Sequence, residues 1–309
     1  MPSFSDRLAL AIAEKKTPVL VGLDPRWAQL PAVFTDGVGA PTEFDAAEAF
    51  SRFCREVIDV VAPLVPAVKP QAAFFEQYGP DAMRALHGVI AYAQSKGLLV
   101  ILDGKRNDIG STAAAYAAGI LGRGASPWSA DALTVSPYLG DDSLEPFIET
   151  AKTRGAGVFI LVKTSNPGGK LFQDLVADGK PVYRHVAEWV ESAARASIPP
   201  RSPNPYASLG AVVGATWPAQ LVELRQTLRS CWLLVPGYGS QGGAARDVAG
   251  AFDPRGMGAV VNNSRGIIFA HKKPEYARFG EKRWQETVEA ATRDMIDALA
   301  AETIAGKLR

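Results

Sequence analysis

Asp103, Lys105 and Asp108, in the run Asp103-Gly-Lys105-Arg-Asn-Asp108-Ile, follow directly on the uncharged apolar run Leu98–Leu102. Charge in such a place is costly unless it is paired. An apolar run of that length reads as a buried strand, and residues two apart on a strand share a face, so Asp103 and Lys105 are expected to point the same way. Asp108 is expected just beyond, in the following loop. A lysine held between carboxylates keeps its proton, because nearby opposite charge favours the ammonium form. Lys105 is therefore a candidate proton donor.

Other reactive side chains also stand at the ends of apolar runs. Asp24 ends Val19–Leu23, Lys69 ends Val65–Lys69, and Lys163, Thr164 and Ser165 close Val158–Lys163. Two later runs empty into Gly237-Tyr-Gly-Ser-Gln241-Gly-Gly243 and Asn262-Asn-Ser-Arg265-Gly266. Glycines let backbone N–H groups approach an anion closely, and a guanidinium offers a two-pronged donor to phosphate oxygens. That chemistry suits a phosphate ester.

The elements that must carry these residues are eight short runs: Val19–Leu23, Val65–Lys69, Leu98–Asp103, Ala132–Ser136, Val158–Lys163, Leu209–Ala215, Trp232–Pro236 and Ala259–Asn262. Helical patterns separate them. Thr42 with Asp45 resembles a capping box before Phe50, Phe53, Cys54, Val57, Ile58 and Val61. Another helix begins near Pro80, buries Leu86, Val89 and Ile90, and stops at Gly97, where a left-handed residue is expected. Val288, Ala291, Met295, Ile296 and Leu299 repeat the pattern. Eight strand–helix alternations in 309 residues predict a single-domain (β/α)8 TIM barrel, with an open doubly wound sheet as the alternative. The barrel places its site at the C-terminal strand ends, where the charged residues fall, and its phosphate site after strands seven and eight. The intervals 25–41 and 166–208, rich in Pro, Gly, Ser and Asn, read as loop insertions over one mouth.

Composition narrows the partners. With 33 basic and 32 acidic residues the net charge is +1, so no global field favours nucleic acid or an anionic membrane. The tryptophans do not alternate with basic residues, which argues against nucleic-acid stacking. The longest uncharged stretch, 202–222, is broken by prolines and reads as loop and strand rather than a membrane span. Two cysteines, Cys54 and Cys231, cannot form a disulfide framework and sit in apolar patterns, so a reduced, cytoplasmic setting is expected. His87, His185 and His271 lie far apart, with no metal-ligand spacing.

Taken together, Val21-Gly-Leu-Asp24-Pro, Val68-Lys69-Pro-Gln-Ala-Ala-Phe-Phe-Glu76, Asp103-Gly-Lys105-Arg-Asn-Asp108-Ile-Gly, Val162-Lys-Thr-Ser165-Asn-Pro-Gly, Val235-Pro-Gly-Tyr-Gly-Ser-Gln241-Gly-Gly and Asn263-Ser-Arg265-Gly-Ile resemble the orotidine 5′-monophosphate decarboxylases, specifically their longer bacterial subgroup. The D-x-K-x-x-D core alone belongs to a wider superfamily of phosphate-binding barrels. Lys69 narrows the match, because relatives that bind Mg²⁺ carry an acid at that place. The resemblance implies loss of CO₂ from C6 of the nucleotide without metal or other cofactor, Lys105 stabilising and then protonating the C6 carbanion. It implies an alternating array of Lys69, Asp103, Lys105 and Asp108, with the second aspartate reaching into the neighbouring subunit's site, and therefore a homodimer. By the same resemblance Asp24 and Thr112 bind the ribose hydroxyls, Ser165 reads the pyrimidine edge, and Gln241 and Arg265 bind the phosphate. Glu76 is either a partner of Lys69 or a solvated helix residue, Lys163 is either an ion-pair element at the strand end or an imine-forming lysine, and Tyr238 and Ser240 pack the loop. Two other functions stay open: an aldolase or isomerase on a sugar phosphate, with Lys163 or Lys105 forming an imine, and a silent phosphate-ligand sensor. A sensor is expected to have lost one of the four array residues, and all four are present.

Overall fold

Each of the eight apolar runs forms a strand: β1 (Val19–Leu23), β2 (Ala67–Pro70), β3 (Leu99–Arg106), β4 (Ala132–Val135), β5 (Gly157–Lys163), β6 (Leu209–Val213), β7 (Leu233–Val235) and β8 (Ala259–Asn263). The computed structural model describes residues 2–199, 202–239 and 242–309. Its strands pair in parallel, each beside its neighbours in sequence, and β8 closes on β1 through Val19–Val261 and Val21–Asn263. The open-sheet alternative is thereby excluded. Their β-branched and aliphatic residues face two ways, as strands covered on both sides require.

Alternation along the strands builds two cores. Leu20, Ala67, Ile101, Phe159, Trp232, Leu234 and Val260 point into the barrel. The N-terminal helix α1 (Phe4–Lys15), capped by Ser3 accepting from the Asp6 amide, plugs the lower mouth with Phe4, Leu8 and Ile12. The residues between them, such as Val21, Val68, Val100 and Val261, face the outer helices. These include α2 (Glu43–Val61), α3 (Gly79–Ser95), α4 (Gly110–Ile120), α5 (Glu145–Arg154), α6 (Val182–Ser197), α7 (Pro218–Thr227) and α8 (Trp284–Glu302). The Thr42–Asp45 capping box forms, and Gly97 takes a φ of 83° past the end of α3.

Two expectations need correction. The seventh crossover is not an α-helix but the 3-10 segment Ala245–Ala251, which buries Val248 and Ala251. The span between the glycine-rich turn and Asp253-Pro254 is too short for more. The interval 166–208 is not all loop, because α6 within it buries Tyr183, Ala187, Val190 and Ala194 at helical spacing. What remains irregular is a short segment with the helix Lys170–Gln173 and an antiparallel ribbon, Val176–Ala177 with Lys180–Pro181. Among the described residues no helix is long and apolar enough to cross a membrane.

Candidate active site

The charged end of β3 owes its shape to an irregularity in the barrel. Between Leu102 and Arg106 β3 carries two more residues than β4 spends between their partners Leu133 and Val135. Within that bulge Lys105 adopts a φ of 41°, a left-handed conformation that costs a non-glycine residue on the order of 1–3 kcal/mol. The bulge keeps both Asp103 and Lys105 on the cavity side while the chain turns out of the barrel. Thr134, on the inner face of β4, fixes the arrangement twice: its hydroxyl donates to Asp103 Oδ1 at 2.9 Å and accepts from the Lys105 amide at 3.0 Å.

Asp103 is the centre of a three-charge array. Lys69 Nζ donates to its Oδ2 at 2.8 Å and Lys105 Nζ to its Oδ1 at 2.6 Å. The Lys69 and Asp103 side chains are almost entirely enclosed, whereas that of Lys105 is 47% exposed and reaches into the open cavity. Burial is the largest influence on both enclosed groups and works against their charges. At Asp103 the cations of Lys69 and Lys105 outweigh it and hold the carboxyl well below the usual carboxylate range. At Lys69 the carboxylates of Asp103 and Asp24 outweigh it and raise the ammonium above the usual lysine range. A depressed acid contributes its stability above its unfolded pKa and loses it only as pH falls through the folded value; a raised lysine contributes below its unfolded pKa and loses it as pH climbs past the folded value. The pair therefore stays charged through the neutral range.

The array forms one wall of a cavity of about 310 Å³ at the C-terminal ends of the strands. Leu161, Val212 and Leu234 give it an apolar floor, and Asp24, Ser165, Tyr238 and Arg265 stand around it. Ser165 is positioned from outside: its carbonyl accepts from Thr216 Oγ1 at 2.9 Å, and Gly214 lets β6 approach so closely that a Cβ there would sit 2.7 Å from Ser165 Cα. Beyond β7, Gly237, Gly239 and Gly242 take φ values of 97°, 72° and 99°, and the turn closes through Gly239 N to Gly243 O at 2.7 Å. Gln241 and its neighbour Ser240 lie outside the described residues. Arg265 opens the short helix Arg265–Ile268 beside this turn, and Asn263 ties that helix to β8 by accepting from Gly266 N at 3.2 Å. Tyr238 thus lines the cavity, beyond the loop-packing role expected for it.

Some expected site residues are not brought together within one chain. Asp108 turns to its own backbone, accepting from Ile109 N at 2.9 Å, and Thr112 is exposed on the first turn of α4; neither lines the cavity. Lys163 is fully buried but faces away from it. An extra residue in β5 between Leu161 and Lys163 sets Lys163 beside the outward-facing Val213. There it pairs with Asp174 and lies 4.8 Å from the Trp217 ring and 5.2 Å from that of Tyr183. Glu76 bonds Arg106 instead of Lys69. Conversely, Thr134, Gln71, Asn262 and Ser264 line the cavity without having been singled out. Each stands two residues beyond an inward or cavity-facing neighbour (Ala132, Lys69, Val260, Asn262), a period-two signal present in the sequence.

With this geometry in hand, comparison with known proteins is decisive. Residues 17–278 match the family described as orotidine 5′-phosphate decarboxylase / HUMPS. An orotidine 5′-phosphate decarboxylase of Rhodopirellula baltica is 53% identical over 303 residues, covering 97% of this chain and 99% of its own length. Among solved structures, a putative orotidine 5′-phosphate decarboxylase from Streptomyces avermitilis superposes with a TM-score of 0.78 at 33% identity, covering 98% of this chain and 96% of that one. The Leishmania donovani OMP decarboxylase gives 0.75 at 32% identity, covering 98% and 99%. A closed eight-stranded barrel with a Lys–Asp–Lys array at its C-terminal mouth, matched along nearly its whole length, makes this chain a member of the orotidine 5′-phosphate decarboxylase family.

Proposed function

We propose that this chain performs its reaction, the decarboxylation of orotidine 5′-monophosphate to uridine 5′-monophosphate, through the array at the end of β3, with Lys105 as the proton donor. The observation that carries this is the half-exposed Lys105 ammonium, held 2.6 Å from a buried carboxylate that itself stays ionised. The C6–carboxylate bond breaks, CO₂ leaves, and the electron pair remains on a ring carbon that no π system can relieve. A fixed cation is the available stabiliser, and in a site of low dielectric it acts without reorganising. Lys105 then passes a proton to C6 and recovers one from solvent. Asp103 lies beside the departing carboxylate, Ser165 reads the pyrimidine edge, Asp24 holds the ribose, and Arg265 with Gln241 grips the phosphate. Lys163, ion-paired and turned off the inner face, is poorly placed for an imine, which weighs against an aldolase. The whole of 1–309 serves as one catalytic domain, and its two buried, unbridged cysteines fit a cytoplasmic setting.

The test is the ultraviolet absorbance change of the nucleotide, followed before and after exhaustive EDTA treatment. Lys69 occupies the place where metal-using relatives carry an acid, so the rate is expected to survive chelation. Loss of activity on removal of a stoichiometric divalent ion would overturn the reading. Thr134→Val checks the geometry behind it. Removing one hydroxyl that bonds both Asp103 and the Lys105 amide is expected to lower kcat by about tenfold or more, on the order of 1–3 kcal/mol for two positioning hydrogen bonds, with KM little changed and the melting temperature lowered by only a few degrees.

A homodimer completes the site in this reading. Asp108 and Thr112 fail to reach their own cavity, and the apolar side chains of Ile109, Tyr116, Tyr138, Leu139 and Phe172 lie exposed on the segments that follow β3, β4 and β5. A second copy seated there would cover them and receive Asp108 and Thr112 in its own cavity. Mixing inactive Lys105→Ala with inactive Asp108→Ala is then expected to restore about a quarter of wild-type activity by random assortment across a two-fold interface. No recovery after subunit exchange would show that each chain uses its own Asp108.

A further inference from the structure

We infer that Asn262 and Ser264 are sugar-reading residues, forming with Asp24 a wall of hydrogen-bond acceptors that holds the hydroxyls of the substrate's sugar and sets a preference for ribose over deoxyribose. Val260 points into the barrel, so Asn262 and Ser264, two and four residues on, follow it along the inner face and line the cavity. Both are 8% exposed. The Asn262 Oδ1, the Ser264 Oγ and the Asp24 Oδ1 are each buried without a hydrogen-bond partner. Buried polar atoms are normally paired; the Asp24 and Asn262 oxygens only accept and the Ser264 hydroxyl can do either, so three on adjoining strand ends point to one missing set of partners that includes donors.

The three lie together because of Gly22. A Cβ at that position would stand 2.5 Å from Ser264 Cβ and 3.2 Å from Asn262 Oδ1, so both side chains lean across β1 toward the strand end that carries Asp24. Complementarity then selects what they face. The phosphate and carboxylate of the nucleotide are acceptors, and the cavity meets them with the cations of Arg265, Lys69 and Lys105. The donors a nucleotide of this kind offers are the pyrimidine N–H, on the edge assigned to Ser165, and the two sugar hydroxyls. A carboxylate, an amide oxygen and a hydroxyl in a row match those hydroxyls. A site built to pair a hydroxyl rejects the analogue that lacks it, because its own buried acceptors are then left unpaired.

This inference rests on the nucleotide reading of the cavity, and the experiment separates the two. Wild type, Ser264→Ala, Asn262→Leu and the double variant are assayed with orotidine 5′-monophosphate and with its 2′-deoxy and 3′-deoxy forms, with melting curves for each protein. The wild type is expected to prefer the ribonucleotide. The double variant should lose at least about tenfold of that preference against one of the deoxy forms, through a lower kcat/KM on the ribonucleotide while the deoxynucleotide changes less than about twofold. Equal losses on all three substrates would overturn the inference, since the residues would then be acting on phosphate, ring or packing. Unchanged discrimination would overturn it as well. Ser264→Ala, a small trimming at a strand end, keeps the test available if Asn262→Leu fails to fold. A wild type that turns over the ribonucleotide but ignores both sugar hydroxyls would also overturn the inference, whereas one that fails to turn over the ribonucleotide would sink the nucleotide reading itself.

Discussion

Lys105→Ala is expected to lose at least about 10⁴-fold in kcat while the protein folds normally. In the proposed mechanism two functions end together in this variant: the cation beside C6, worth on the order of 10²–10³-fold as a preorganised electrostatic group, and the proton donor, worth about 10²–10⁴-fold. The fold should not suffer. The side chain is half exposed, its removal leaves no core cavity, and Asp103 keeps Lys69 and Thr134 as partners. A second variant separates chemistry from backbone. At a φ of 41° glycine relieves strain that lysine and alanine both carry, so Lys105→Gly should be equally inactive yet more stable than Lys105→Ala by about 1 kcal/mol. Single-turnover rates and urea denaturation of the two variants check both statements. Appreciable decarboxylation by a folded Lys105→Ala protein would mean that the proton comes from another group.

That strain also shows where the sequence was informative and where it misled. The barrel was legible because each strand is a short apolar run bounded by turn residues, and because polar side chains gather at one end of those runs. Asp103 and Lys105 do share a face, but not through simple alternation: a two-residue bulge and a left-handed lysine bring it about, and neither leaves a mark in hydrophobic periodicity. The same blindness moved Lys163 to the wrong side. One extra residue in β5 reverses its facing, and of its two expected roles it takes that of an ion-pair element, joined to Asp174 beside Tyr183 and Trp217 in the outer layer rather than at the cavity. Glu76, expected either beside Lys69 or solvated on a helix, takes the second place: it is exposed at the end of the short helix Ala73–Glu76 and pairs with Arg106, thirty residues away. Thr134, Asn262 and Ser264 were within reach of pattern reading, as polar residues at inward positions of their strands. Each is neutral and carries no chemical signature of its own; Ser165, Thr112 and Gln241, equally neutral, stand out only through the family resemblance. Asp108 and Thr112 could not be settled from one chain's packing, since the cavity they are assigned to lies in the partner of a proposed dimer.

Arg265→Ala should lower kcat/KM for the nucleotide by about 10³-fold, yet barely alter the slow reaction of an orotidine-like substrate that lacks phosphate. Arg265 begins the helix after β8 and borders the cavity beside the positive-φ glycines that follow β7. A bidentate guanidinium–phosphate contact supplies two charge-assisted hydrogen bonds of roughly 1.5–3 kcal/mol each, and losing both gives a change of that order. The phosphate stands well away from C6, so this energy can act on catalysis only by holding the substrate and closing the loops around the reacting carbon. Phosphite dianion, added as a separate piece, is therefore expected to accelerate the wild type on the truncated substrate and to leave Arg265→Ala unmoved. The contrast is diagnostic. If the variant lost the same factor on both substrates, Arg265 would be acting on the pyrimidine ring or on folding, and the phosphate site would have to lie elsewhere along the rim. If phosphite still activated the variant, the glycine-rich turn and Gln241 would carry the dianion without the guanidinium.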